Sequence, residues 1–337
     1  MIGVDFRSSA YFMASVVGAV IFFILAVFTA ERFAAGEQER VFQEHQALIT
    51  ESAASSLQQR MDLLRARAHA IADVGLKGAQ AEVQLRNAWY AFGEDISFIL
   101  LNEDVEVMAA AGRADMVDGR LRSVWLSWVT RQWPAMVHRV SNPYLPPFHV
   151  TAEDQIAGGL YPIYTDGRLS GMLVMLVDIA SLAREYIAPL RSGENGAGFL
   201  LDGEGRILYD HETEIIGRSI FDGMHDDYPD LQRYDQRMVS EVKGVDSYHF
   251  TRKRNGEVVR KLGAWSAVHF GENRLVIALS APDTELVVGM TTLRWLSVGL
   301  GAVLALFLFG AAFIFLRMRT RYLQDSARNL ERKLADG

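Results

Sequence analysis

The stretch LYPIYTDGRLSGMLVMLVDIASL, residues 160–182, decides the fold. Leu160–Tyr164 is an apolar run, Asp166-Gly167 offers the two turn residues of a tight hairpin, and Leu169–Val177 is a second apolar run. About 104 positions on, the pattern recurs as Ala264–Val268, Gly271-Glu272-Asn273 and Arg274–Leu279. An earlier hairpin behaves in the same way. Ser97–Leu101, the polar turn Asn102-Glu103-Asp104 and Val105–Ala109 are echoed by Phe199–Leu201, Asp202-Gly203-Glu204-Gly205 and Arg206–Tyr209. Two agreeing offsets indicate a tandem duplication of an α+β module of ~100 residues. The first module is expected over 90–190 and the second over 191–282, with the Gly-rich joint Arg191–Gly198 as a turn.

Upstream of the modules, Glu31 to Val74 contains no proline, and Gly36 alone interrupts it. Leu57, Met61, Leu64, Ala68 and Ile71 are spaced 4, 3, 4 and 3, which puts one apolar stripe on a helix. Such a helix would reach roughly 65 Å at 1.5 Å per residue, the length of a stalk that leaves a membrane and runs along a domain. The stripe suits either a dimer seam or packing on the chain's own domain. Downstream, Ser280-Ala281-Pro282-Asp283 carries a capping-box pattern and an early helical proline, so a helix is expected to start there.

The two ends are apolar. Ala10–Ala30 is 21 residues without a charge, and Trp295–Leu316 is 22. Each is long enough to cross a bilayer core of ~30 Å as a helix. A signal peptide cut after Ala30 would put Phe28 where a small residue is wanted, so the first run reads as a retained anchor. The tail 317–337 holds six basic and three acidic residues, whereas 31–293 carries a net charge of −11. The basic flank places both termini in the cytoplasm and the 263 residues 31–293 outside. The expected location is a bacterial cytoplasmic (inner) membrane. In the tail, Leu323, Ala327, Leu330 and Leu334 begin an a/d seam that favours a homodimer. With 21 residues after the second span, an output module is expected on a partner polypeptide or beyond a fragment's end.

Composition excludes several functions. The chain of 337 residues has no cysteine, which removes disulfides, thiolate metal sites and cysteine nucleophiles. A net charge of −7 argues against nucleic-acid binding. The eight histidines show no metal-ligand spacing, and neither a GxSxG nor a phosphate-binding loop is present. Asp226-Asp227 and Asp230 read as a polar loop. No catalytic residue, metal or cofactor is assigned.

This arrangement resembles the double Cache, or tandem PAS-like, extracytoplasmic sensor domain of bacterial transmembrane receptors. The resemblance rests on RQW (131–133), SNPY (141–144), residues 160–182, GFLLDGEGRILYDHETEIIGRSI (198–220) and the closing segment Trp265 to Pro282. It implies antiparallel sheets, a membrane-distal module that takes a small molecule, and a membrane-proximal module that relays the signal. The ligand class it implies is an amino acid, organic acid or amine. In the amino-acid-binding subgroup an Arg and a Trp precede a Tyr, and an Asp closes the module. By motif Arg131, Trp133 and Asp178 match, while Pro134 and Leu126 stand where aromatics are expected. Arg131 would clamp a carboxylate with its planar fork. Trp133 and Tyr144 would form a flat apolar wall, and Asp178 would hold an ammonium group. The plainer roles stay open: a solvated arginine, core aromatics, and a carboxylate that caps the next helix. A helical chain-length regulator of polysaccharides and a periplasmic hydrolase are the alternative function classes.

Overall fold

The computed structural model describes the chain except residues 1–4, 75–78, 94, 120, 138–148, 152–155, 252–256, 271–272 and 336–337. It divides into two units: Gln43–Glu285, and Met1–Phe42 with Leu286–Gly337.

In the larger unit, the hairpins expected from the sequence form. Helix α1 (Asp5–Asp73) and helix α2 (Ala79–Phe92) precede strands β1 (Ile96–Asn102) and β2 (Val107–Ala111). Helices α3 (Ala114–Val117) and α4 (Arg122–Val137) follow, then β3 (His149–Thr151), β4 (Ile156–Thr165), β5 (Arg168–Asp178) and helix α5 (Ile179–Tyr186). The five strands form one antiparallel sheet in the order β2-β1-β5-β4-β3. Its β4–β5 turn is the Asp166-Gly167 pair, at φ 50° and 76°, the left-handed values a two-residue hairpin requires.

The second module repeats that plan. It contains β6 (Arg191–Ser192), β7 (Gly196–Asp202), β8 (Ile207–Tyr209), helix α6 (Pro229–Ser240), β9 (Lys243–Thr251), β10 (Val258–Phe270) and β11 (Asn273–Pro282). Its sheet runs β6-β7-β11-β10-β9, with β8 also on β7. The order β8-β7-β11-β10-β9 therefore matches β2-β1-β5-β4-β3 strand for strand, as a duplicated module should.

Two boundaries differ from expectation. The joint Arg191–Gly198 is not a bare turn, because β6 pairs Arg191 with Ala197 and Ser192 with Gly196. The exit helix α7 (Thr284–Ala335) begins after Pro282 rather than at the capping-box pattern. Ala281 and Pro282 are still in register with Leu262 and Lys261, so the sheet holds them in the extended state.

The apolar stripe of α1 packs on its own domain, not on a second chain. Leu57, Met61, Leu64, Ala68 and Ile71 are all buried in one core with Phe98, Leu100, Met175 and Val177 of the first sheet. At ~25 cal/mol per Å² of apolar surface, five such side chains contribute several kcal/mol to fixing the helix there. The same helix reaches the second sheet through buried Gln46, whose amide donates to Ser192 Oγ (3.1 Å) and to the Leu262 carbonyl (3.2 Å).

In the smaller unit, one stretch among the described residues is long and apolar enough to cross a membrane, Val298–Phe315. Its large side chains face outward, with Leu306, Phe307, Phe309 and Phe313 exposed. In the N-terminal run Ile21, Phe22, Leu25 and Phe28 are exposed as well. The side chains of Leu323, Leu330 and Leu334 lie outside the described residues.

Candidate ligand-binding site

The first sheet buries its outer face under α3 and α4. Ile99, Leu101, Met172, Val174 and Leu176 meet Met116, Trp125, Trp128, Val129 and Met136 in one apolar cluster. Trp128 lies so close to β4 that a Cβ on Gly158 would sit 2.8 Å from its ring. Trp125 turns inward as well, and its indole N–H donates to the Met116 carbonyl at 2.8 Å.

Helix periodicity then separates the candidate residues. With Trp125, Val129 and Met136 marking the inward side, Arg131 falls on the exposed side of α4, beside Ser127 and Thr130 on a shallow surface. Trp133 is half-buried and packs against the edge of the same apolar cluster. Tyr144 lies outside the described residues.

Asp178 is buried where β5 meets α5 and caps that helix. Its Oδ1 accepts the Ser181 backbone N–H at 3.1 Å, and its Oδ2 accepts the Ser181 hydroxyl at 3.2 Å. Its cationic partner is Arg113, which forms an ion pair with Oδ2 and a second one with Asp115. The structure therefore joins Asp178 to Arg113 and leaves Arg131 on the α4 surface. Hydrogen bonding to Asp115 raises the Arg113 pKa above its ordinary value, and Arg113 in turn lowers that of Asp115.

Arg113 carried no local sequence signal. It arrives at Asp178 because β1 sits between β2 and β5, so the end of β2 lies one strand away from the end of β5. Gly112 lets the chain pass close to β1, since a Cβ there would lie 2.1 Å from Ser97 Oγ. That hydroxyl accepts the Arg113 backbone N–H at 3.2 Å.

The second module encloses a cavity of about 410 Å³ between α6 and the sheet. Aromatic faces make much of the wall. The Tyr234 ring lies 4.7 Å from Tyr248 and edge-on to Trp265 at 5.3 Å. Asp235, on α6, is buried and its Oδ2 bonds His225 Nδ1 at 2.5 Å. Asp210 follows β8, and its Oδ1 accepts the Glu212 N–H at 2.8 Å. Burial raises both carboxyl pKa values, opposed by His225 at Asp235 and by the Glu212 N–H at Asp210. Lys261 of β10 also lines the cavity and lies over the Phe250 ring at 5.2 Å.

No protein-family model matches the chain, and no curated protein matches it. Solved structures do. The ligand-binding domain of the Pseudomonas aeruginosa amino acid chemoreceptor PctB, in complex with L-Arg, is 16% identical with a TM-score of 0.52. The alignment covers 79% of this chain and 98% of that one. The sensory domain of the Campylobacter jejuni chemoreceptor Tlp3 is 14% identical with a TM-score of 0.51, over 76% of this chain and 99% of that one. The chain spans 40% of the length of an extracellular ligand binding receptor from Desulfohalobium retbaense, at 16% identity, a TM-score of 0.46 and 70% of this chain. The modules described above thus have the fold of chemoreceptor periplasmic sensory domains, the Cache-type extracytoplasmic sensor fold.

Proposed function

We propose that this chain is a non-enzymatic sensory receptor of the bacterial inner membrane. Its ligand is an amino acid, organic acid or amine taken by the first module, and its signal leaves through the second span to a cytoplasmic output. The observation that carries this reading is the pair of matching antiparallel modules set in sequence between two apolar helical runs. The exposed Leu306, Phe307, Phe309 and Phe313 support a lipid-facing second span, because water would not stabilise such a surface. The neighbouring PctB domain, solved with L-Arg, supports the ligand class. The strand-rich exterior speaks against a helical chain-length regulator.

In this proposal Arg131, Trp133, Tyr144 and Asp178 contact the ligand. The Arg113–Asp178 pair gives the first module an occupied resting state: a ligand ammonium would take over the carboxylate that Arg113 now holds. Ligand energy would then be spent on displacing Arg113 from β5, which is how binding could favour one conformation over another. The test is calorimetric titration of the full chain in lipid nanodiscs with a panel of amino acids, organic acids and amines. A binder lost in Arg131→Ala and in Asp178→Asn supports the assignment. A binder unaffected by changes at Arg131, Trp133, Tyr144 and Asp178 removes it.

A further inference from the structure

A second cavity in the other module has the chemistry of a binding site of its own. We propose that the cavity under α6 binds a small organic molecule bearing a protonated amine, held by Asp235 and Asp210 against the rings of Tyr234 and Tyr248. This goes beyond the first-module reading and does not depend on it.

Three observations converge. The volume, about 410 Å³, falls within the range of small-molecule pockets. The Tyr234 ring forms part of the wall, while its hydroxyl is buried against the sheet beside Gly263, where a Cβ would lie 2.4 Å from the oxygen. Two carboxylates from different elements face the same space, and the charge of each is disfavoured by burial. An ammonium group entering the cavity would restore the lost solvation and can donate charge-assisted hydrogen bonds to the carboxylates that line it. Aromatic faces add attraction for a cation.

Other charges bear on the site. His225 Nδ1 is hydrogen-bonded to one carboxylate oxygen of Asp235, Oδ2. Lys261 offsets part of the Asp210 charge, and exposed Glu212 and Arg218 stand at the rim. Away from the rim, two lining carboxylates, Asp210 and Asp235, stand against one lysine, Lys261, with His225 bonded to Asp235, which favours an amine over an acid.

The test compares two probes with one skeleton, 2-phenylethylamine and 3-phenylpropanoate, by calorimetric titration of the full chain in nanodiscs at neutral pH. The amine is expected to bind and the acid not to. Asp235→Asn and Asp210→Asn should each weaken the amine about tenfold or more. Arg131→Ala, in the other module, should leave it unchanged. Failure of the amine to bind, preference for the acid, or amine binding that survives both aspartate variants would each overturn the proposal.

Discussion

Asp178 is the residue on which structural and ligand roles compete, and substitution can separate them. Asp178→Ala removes the cap of α5, worth about 1 kcal/mol. It also removes the ion pair with Arg113. That pair joins an 11%-exposed carboxylate to a 37%-exposed guanidinium that keeps Asp115, so its loss is worth about 1 kcal/mol, well below a fully buried pair. The total is about 2 kcal/mol, which in a unit of 243 residues lowers the melting temperature by about 4–8 °C. Asp178→Asn keeps a good capping oxygen and loses only the charge, so about 2–4 °C is expected. Arg113→Met leaves the buried carboxylate without its cation and should cost about 1–3 kcal/mol. The assay is intrinsic-fluorescence melting of the full chain in detergent micelles, with each variant measured beside wild type. If the alanine variant melts with wild type, the cap and pair carry no stability and the reasoning is refuted. An asparagine variant that melts nearly normally but no longer binds a first-module ligand assigns the carboxylate a binding role in addition.

Asp210→Asn should stabilise the unliganded protein at neutral pH. Burial raises the folded pKa of Asp210, aided by Glu212 and opposed by the Glu212 N–H, His211 and Lys261, so the folded state binds more protons than the unfolded one between the two pKa values. Wild-type stability at this site therefore falls as pH rises through that window, and the melting-temperature advantage of the variant should shrink on acidification; an advantage independent of pH would contradict the linkage. Gly244→Ala should cost about 1–3 kcal/mol, since the new Cβ would lie 2.3 Å from the Trp265 ring opposite it, and a chemical-denaturation midpoint equal to wild type would count against that packing. Glu285→Ala should speed amide exchange at Glu194 and Asn195 about fivefold or more, because Glu285 accepts both N–H groups at 3.2 and 2.9 Å. Exchange at those amides unchanged from wild type would refute it. The Glu285 pKa is lowered, first by the Asn195 side chain, so this tether is present above the ordinary glutamate range and is lost as pH falls through the lowered value.

The hairpins were legible because each couples an apolar run to turn residues with a required backbone state, as at Asp166-Gly167. The α1 stripe was legible from its 4-3-4-3 spacing, but which surface covered it was not, since periodicity names a face and not its partner. The two-residue strand β6 is too short to show alternation. Asp178 as a helix cap was one of its two open readings, and the Ser181 N–H occupies it. Arg113 was invisible because strand order, not chain proximity, brings it there. The second cavity was missed for a related reason. Asp235, Asp210 and Tyr248 lie on three elements that meet only when α6 folds over the sheet, and a lone aspartate in a helix reads as solvated charge. Asp230, assigned to a polar loop, instead opens α6 and bonds His249 at 2.6 Å.

Strand β11 ends with almost no slack. Ser280 faces the second cavity, and α7 begins at Thr284. Of the three residues between, Ala281 and Pro282 remain in sheet register and the Asp283 N–H donates to the Arg260 carbonyl at 2.9 Å. A guest that pushes on Ser280 thus meets a strand held in register to its last residue, so the ladder would shift as one piece.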